Sequence, residues 1–236
     1  MSTHSLSGGH GLDRLVEKQM RNWELARAQR LTVPKEDRKE VEDFIAISRL
    51  VAAGGKEVAA KLGEALGWPV FDKEILDVMA GDDTIRRQVY DSMDERDLGW
   101  YEEVLRSLAQ SEFVRNDYFN RLTQTVLSIS RQGHGVYLGR AADLILPRDR
   151  GLRVRLVAPF AQRVQAFADQ HKLSADTAKV ELERVENERA EFAKAHFGID
   201  YNDPTRCDLT INLDRLSITD AVGLILTTRE RLGRVG

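Results

Sequence analysis

The residues best placed to do chemistry are Ala52, Ala53, Gly54, Gly55, Lys56 and Glu57. Before them stands Phe44-Ile45-Ala46-Ile47, a short apolar run long enough for one buried strand. After them Val58, Leu62 and Leu66 recur four apart, with Gly67 just beyond as a left-handed cap. Strand, loop of small residues and helix is the layout of a phosphate-binding loop. N–H groups at the helix start face the anion, and small side chains let it approach. The same layout also makes an ordinary strand-to-helix turn, and the loop alone does not separate the two. The Walker spacing G-x-x-x-x-G-K-[ST] fits poorly, because reading it from Gly55-Lys56 puts Leu50 at the first Gly and Glu57 at the Ser/Thr.

The elements that must position this loop alternate along the chain. Trp68-Pro69-Val70-Phe71 reads as a second strand, with Asp72 as the N-cap of the helix that follows. Residues 83–132 read as helical in two or three segments, the last carrying Tyr118, Leu122, Val126 and Ile129 on one face and ending at Gly133. Gly135 to Gly139 is a third strand, followed by Arg140, and Leu152 to Val157 a fourth. Helices are expected from Pro159 to about His171 and over residues 174–195. Asp208 to Leu213 is a fifth strand, and Ser217-Ile218-Thr219-Asp220 opens the last helix as a capping box. Five strands alternating with helices imply an α/β protein with a mainly parallel sheet covered on both faces. In such a sheet ligands bind at the carboxyl ends of strands, where Ser48-Arg49, Asp72, Gly139-Arg140 and Asn212 stand.

Composition bounds the partners. The 236 residues are 42% hydrophobic and 31% charged, with a net charge of -3, an ordinary soluble globular balance. That charge argues against general nucleic-acid binding. The single cysteine, Cys207, suits a reducing cytoplasm, and no histidine pair has metal-ligand spacing. No apolar run approaches membrane-spanning length, so no membrane contact is expected. Residues 1–11 read as disordered, and Leu12 to Leu31 as an amphipathic helix with Leu15, Val16, Met20 and Trp23 on its stripe. That stripe is too apolar to stay in water. It docks on its own domain or against a second copy, and a homodimer contact is the expectation favoured here.

Taken together, these segments resemble the cytidylate kinase-like family, a branch of the P-loop nucleoside monophosphate kinases. The family opens with an apolar strand and S-R-x-x-G-S-G-G-x-x-[IV]-A, matched by Ser48-Arg49-Leu50-Val51-Ala52-Ala53-Gly54-Gly55-Lys56-Glu57-Val58-Ala59, and continues to D-K-E, matched by Asp72-Lys73-Glu74. A strand ending in G-R is matched at Gly139-Arg140, and a lid helix with an acid three residues before an Arg at Glu186 and Arg189. The closing pattern is matched by Asp203-Pro204 and Asp208-Leu209-Thr210-Ile211-Asn212. The resemblance spans about Asp43 to Leu232. It implies a three-layer P-loop NTPase fold with a five-stranded sheet, a helical lid and an N-terminal helical extension. It divides the chain into an extension, 1–42, and a kinase-like domain, 43–236.

It also implies roles. ATP with Mg²⁺ would be the donor, and a nucleoside monophosphate such as CMP or dCMP the acceptor. The loop from Ala52 to Glu57 would hold the donor phosphates, with Lys56 as its cation. Arg49, Asp72, Arg140 and Arg184 would bind the acceptor, and Arg140 and Arg189 would act on the transferred group. Beside these stand plain alternatives: an N-cap for Asp72, a salt bridge to Asp143 for Arg140 and a surface pair with Glu188 for Arg184. One departure matters. Ala52 and Ala53 stand where the family has Gly-Ser, and Glu57 takes the place of the Mg²⁺-ligating Ser/Thr. The rival expectation is therefore a catalytically silent nucleotide-binding or regulatory protein.

Overall fold

Phe44–Arg49 forms β1, five of its six residues buried, because this apolar run has no polar side chain to offer water until Ser48. The computed structural model describes residues 14–21, 24, 25, 28, 41–85, 87, 117–139, 141–148 and 150–232. Among them β1 is the middle strand of a five-stranded sheet of order β2-β3-β1-β4-β5. The others are β2 (Val70–Phe71), β3 (Gly135–Leu138), β4 (Leu152–Val157) and β5 (Leu209–Asn212). All four pairings are parallel, so each strand must be followed by a crossover, and the helices supply it.

The two-residue period of β1 divides the core into two layers. Phe44 and Ala46 face one side, where they meet Ile75, Leu76 and Met79 of α3 (Lys73–Gly81) and Leu122 and Val126 of α4 (Asp117–Gln132). Ile45 and Ile47 face the other, against Val58 and Leu62 of α2 (Gly55–Leu66) and Ala221, Val222 and Ile225 of α8 (Ile218–Leu232). The fold is thus the expected three-layer α/β arrangement, a parallel sheet with helices on both faces. α2 ends at Gly67, whose left-handed φ of 66° lets its N–H close onto Gly63 and Glu64. α8 begins at a true capping box: Ser217 Oγ accepts from Asp220 N–H at 3.1 Å, and the Asp220 carboxylate accepts from Ser217 N–H at 2.9 Å.

α6 (Phe160–His171) and α7 (Ala175–Phe197) make a helical hairpin over one end of the sheet. Ser174 caps α7 where the helix is expected to begin, and the helix runs to Phe197, two residues past the expected end, before the left-handed Gly198 stops it. The short helix α5 (Ala142–Ile145) and a 3₁₀ turn at Pro204–Arg206 have no counterpart in the sequence pattern, being too short to show a period. β2 is two residues rather than four, since Pro69 has no N–H for the ladder and contributes only its carbonyl, to Val136 N–H at 2.9 Å.

Helix α1 (residues 14–21) carries Val16 and Met20 into the same core as α3 and α4. Gln19 Oε1 also accepts from Val70 N–H at 3.1 Å. Of the predicted stripe, Leu15 stays 49% exposed and Trp23 lies outside the described residues, as do Leu12 and Leu31 at the ends of the expected helix. Most of the helical region expected before α4 lies outside them too. Among the described residues no helix is long and apolar enough to cross a membrane.

Candidate functional site

The loop between β1 and α2 turns through two left-handed residues, Ala52 at φ 57° and Gly54 at φ 67°. Gly54 is the N-cap of α2 and offers no side-chain cap, so the first-turn N–H groups of the helix are left for a ligand or water. The left-handed φ favours glycine at 54, and a Cβ there would also crowd Ile218 Cδ1 at 2.9 Å. Ala52 holds the same kind of backbone with a Cβ, at a cost of about 1–2 kcal/mol. Ala52→Gly should therefore stabilise the fold by about 0.5–1 kcal/mol once the greater freedom of an unfolded glycine is subtracted. A thermal melt should show a rise of a few degrees, and an unchanged or lower Tm would refute it.

Arg49 leaves the end of β1 and is shaped by two glycines. Its stem crosses Gly55, where a Cβ would lie 3.0 Å from Arg49 Cγ. Its Nη1 lies over Gly139, 2.1 Å from where a Cβ would be. Gly139 is itself left-handed, at φ 78°. Gly139→Ala is expected to cost about 1–2 kcal/mol in backbone strain and to push the Arg49 guanidinium aside. Both should be read together, as a lower Tm and a raised KM.

Arg49 lines a cavity of about 310 Å³ together with Lys73, Arg189, Tyr201, Asp143 and Arg206. Two groups hang on the carbonyl at the end of β1: Tyr201 OH donates to Arg49 O at 3.0 Å, and Arg189 Nη1 at 3.3 Å. Arg189 on α7 is thereby brought beside Arg49. Arg206 meets Asp143 at 2.6 Å in a nearly closed pair. Burial pushes the Asp143 carboxyl above the usual range, and the Arg206 guanidinium pulls it back. Behind the cavity two more guanidiniums hold its walls. Arg155 donates to Tyr201 O and Asn202 Oδ1 and lies over the Tyr201 ring, 4.8 Å from its centroid. Arg153 donates to the carbonyls of Asp143, Leu146 and Arg148 at 2.7–2.9 Å. Ser48 Oγ and Cys207 Sγ stand 3.8 Å apart at the edge, where burial pushes the thiol up.

The other predicted residues separate from this group. Lys56 is 54% exposed, its Nζ 3.1 Å from both oxygens of Glu74. Lys56 and Asp72 line a different cavity, of about 680 Å³, on the α1 side. Asp72 Oδ1 accepts from Ile75 N–H at 3.0 Å as the cap of α3. Arg184 is exposed and paired with Glu181 at 2.8 Å and with Glu188. Glu57 is exposed on the first turn of α2. Arg140 lies outside the described residues.

Sequence reasoning did not single out Lys73, Tyr201, Arg206 or Arg163. Lys73 stands inside the D-K-E motif and Arg206 two positions after Asp203-Pro204, so both had a signal. Arg163 had none. It lies on α6, 5% exposed, and donates to Glu186 Oε1 at 2.5 Å.

The sequence model of the cytidylate kinase-like family matches residues 44–215. Comparison with curated proteins finds no match. Among solved structures, an uncharacterized protein from Eubacterium ventriosum is 18% identical, with a TM-score of 0.61 over 80% of this chain and 99% of its own. Shikimate kinase from Bacteroides thetaiotaomicron is 13% identical, with a TM-score of 0.45 over 80% of this chain and 98% of its own. A gluconokinase from Sinorhizobium meliloti is 13% identical, with a TM-score of 0.42 over 84% of this chain and 99% of its own. The first of the three shows a shared fold.

Proposed function

Because the chain belongs to the cytidylate kinase-like family, we propose that it transfers the γ-phosphoryl group of ATP to a small phosphate-bearing acceptor, a nucleoside monophosphate such as CMP or dCMP. The observation that carries this is the meeting of Arg49 and Arg189 at the carboxyl end of β1, beside the start of α2. Phosphoryl transfer has little covalent chemistry for a protein to do; it needs positioning and positive charge. The cavity of about 310 Å³ is of a size for a small acceptor, with Arg49 and Lys73 toward its phosphate and Arg189 toward the group in transit. α7 closes over it and excludes water, which keeps ATP hydrolysis from competing.

The loop residues Ala52, Ala53, Gly54 and Gly55 with the uncapped first turn of α2 fit the donor phosphates. Among the described residues no group of three or more His, Cys, Asp or Glu could hold a metal ion. Mg²⁺ would arrive with the nucleotide and need only one or two protein oxygens, of which Glu57 on the first turn of α2 would offer one. When bound, Mg²⁺ would supply positive charge to offset that of the phosphates. Lys56 contributes a loop cation by leaving Glu74, a rearrangement that an exposed pair resists weakly.

A second reading, a nucleotide-binding regulator without turnover, draws on the same departures: Lys56 paired away from the loop, and Ala52 and Glu57 in it. A homodimer through the N-terminal extension would use Leu15 of α1 and Leu25 beyond it, which are 49% and 60% exposed. The deciding experiment is a coupled ADP-release assay with ATP and Mg²⁺ across the nucleoside monophosphates. Turnover with one of them supports the kinase. No turnover, together with a melting temperature that rises with ATP or CMP, leaves the regulator.

A further inference from the structure

Glu186 belongs to the charged helix α7, yet it turns toward the β1–α2 loop. Its Oε1 accepts from Val51 N–H at 3.0 Å and from Arg163 Nη1 at 2.5 Å. Arg163 is held from behind, donating through Nε to Ala158 O at 3.0 Å and through Nη1 to Val51 O at 3.4 Å. The Arg163 and Glu186 side chains are 6% and 21% exposed, so this contact is largely shielded from water.

Val51 stands between Arg49 and the left-handed Ala52, inside the loop itself. A backbone N–H beside a guanidinium is a donor pair suited to a phosphate oxygen. Here a carboxylate oxygen, also an anion, holds both donors. We infer that Glu186 is a resident substitute for the ligand's phosphate. In the ligand-free chain it fills an anion position on Val51 N–H and Arg163, and an entering phosphate displaces it. Two anions cannot share one N–H and one guanidinium nitrogen without strong repulsion. Occupancy of the loop and withdrawal of the Glu186 carboxylate from it are then a single event, with α7 and Arg189 staying over the site. The inference rests on reading this loop as the phosphate site.

Such a plug lowers the apparent affinity by the fraction of molecules in which it is withdrawn. Binding of ATP, and separately of inorganic pyrophosphate, would be measured by calorimetry for the wild-type protein, Glu186→Gln and Glu186→Ala. Hydrogen exchange at the Val51 amide would be followed alongside. Glu186→Ala is expected to tighten ATP binding about tenfold, the scale of one charge-assisted hydrogen bond. Glu186→Gln should tighten it less, because its amide oxygen still accepts from Val51 N–H but carries no charge for Arg163. The Val51 amide should exchange faster in ligand-free Glu186→Ala and regain protection with ATP. If all three bind ATP equally, or if either variant melts like wild type and binds more weakly, the inference is overturned while the phosphate loop stands. If none binds ATP or pyrophosphate, the phosphate-loop reading falls and the inference with it. The Gln variant keeps the shape of Glu186, so the test holds even if the Ala variant fails to fold.

Discussion

Arg189→Ala is expected to lower kcat/KM for phosphoryl transfer on the order of a hundredfold, while Arg184→Ala on the same helix changes it by less than about threefold. The contrast follows from where the two side chains lie. Arg189 lines the cavity and donates to the carbonyl at the end of β1. Arg184 is exposed between Glu181 and Glu188. A cation in a site closed to water acts on developing phosphate charge with little screening, and losing one such contact costs about 2–4 kcal/mol of transition-state stabilisation. A solvated cation already neutralised by two carboxylates has no such charge to give. Steady-state kinetics of both variants with the best acceptor decide the matter. Equal losses in the two would show that α7 acts through its packing rather than through Arg189.

Arg153→Met should be strongly destabilising, although the residue lies outside the apolar core. The side chain lies on β4, 3% exposed, and its guanidinium satisfies three carbonyls of the α5 region at once. Burial lowers its pKa from the usual arginine value, partly offset by Asp208 and Asp143. Methionine fills much of the volume but leaves the three acceptors without a donor. The expected loss is about 3–5 kcal/mol, or roughly 10 °C in Tm for a chain of this length. Arg153→Lys should fall between, since a point charge cannot serve three directions as the planar fork does. A methionine variant that melts within about 2 °C of wild type would mean that water replaces the guanidinium. Because this staple also positions Asp143, acceptor KM should rise before the fold is lost.

The sheet was legible because parallel strands covered on both faces are written as continuous apolar runs, and β1 and β3 are such runs. β4 is the instructive case. Leu152-Arg153-Val154-Arg155-Leu156-Val157 alternates, a pattern that ordinarily marks one wet face, yet both arginines are buried, at 3% and 5% exposure. Their partners are backbone carbonyls and Asn202, which no periodicity reveals. Arg49 and Arg189 could be found because each stands inside a motif of fixed spacing. Tyr201 could not, since its hydroxyl reaches the cavity through a tertiary contact from an irregular segment. Lys56 shows the opposite limit. Adjacency in sequence placed it in the loop, but the first turn of a helix sends successive side chains in different directions, and this one meets Glu74.

The contact between Gln19 and the edge of the sheet has a consequence for how the protein behaves among its own copies. β2 is an outer strand, and the N–H of Val70 would otherwise be an open donor able to recruit a strand from another molecule. The side-chain amide of α1 closes that donor from within the chain, and it comes from a segment before the family's matched region, which begins at residue 44. Helix α1 thus guards this one donor of the outer strand, leaving it closed to an added strand. It also ties the guard to the core through Val16 and Met20, so that donor stays covered as long as the apolar packing beneath it persists.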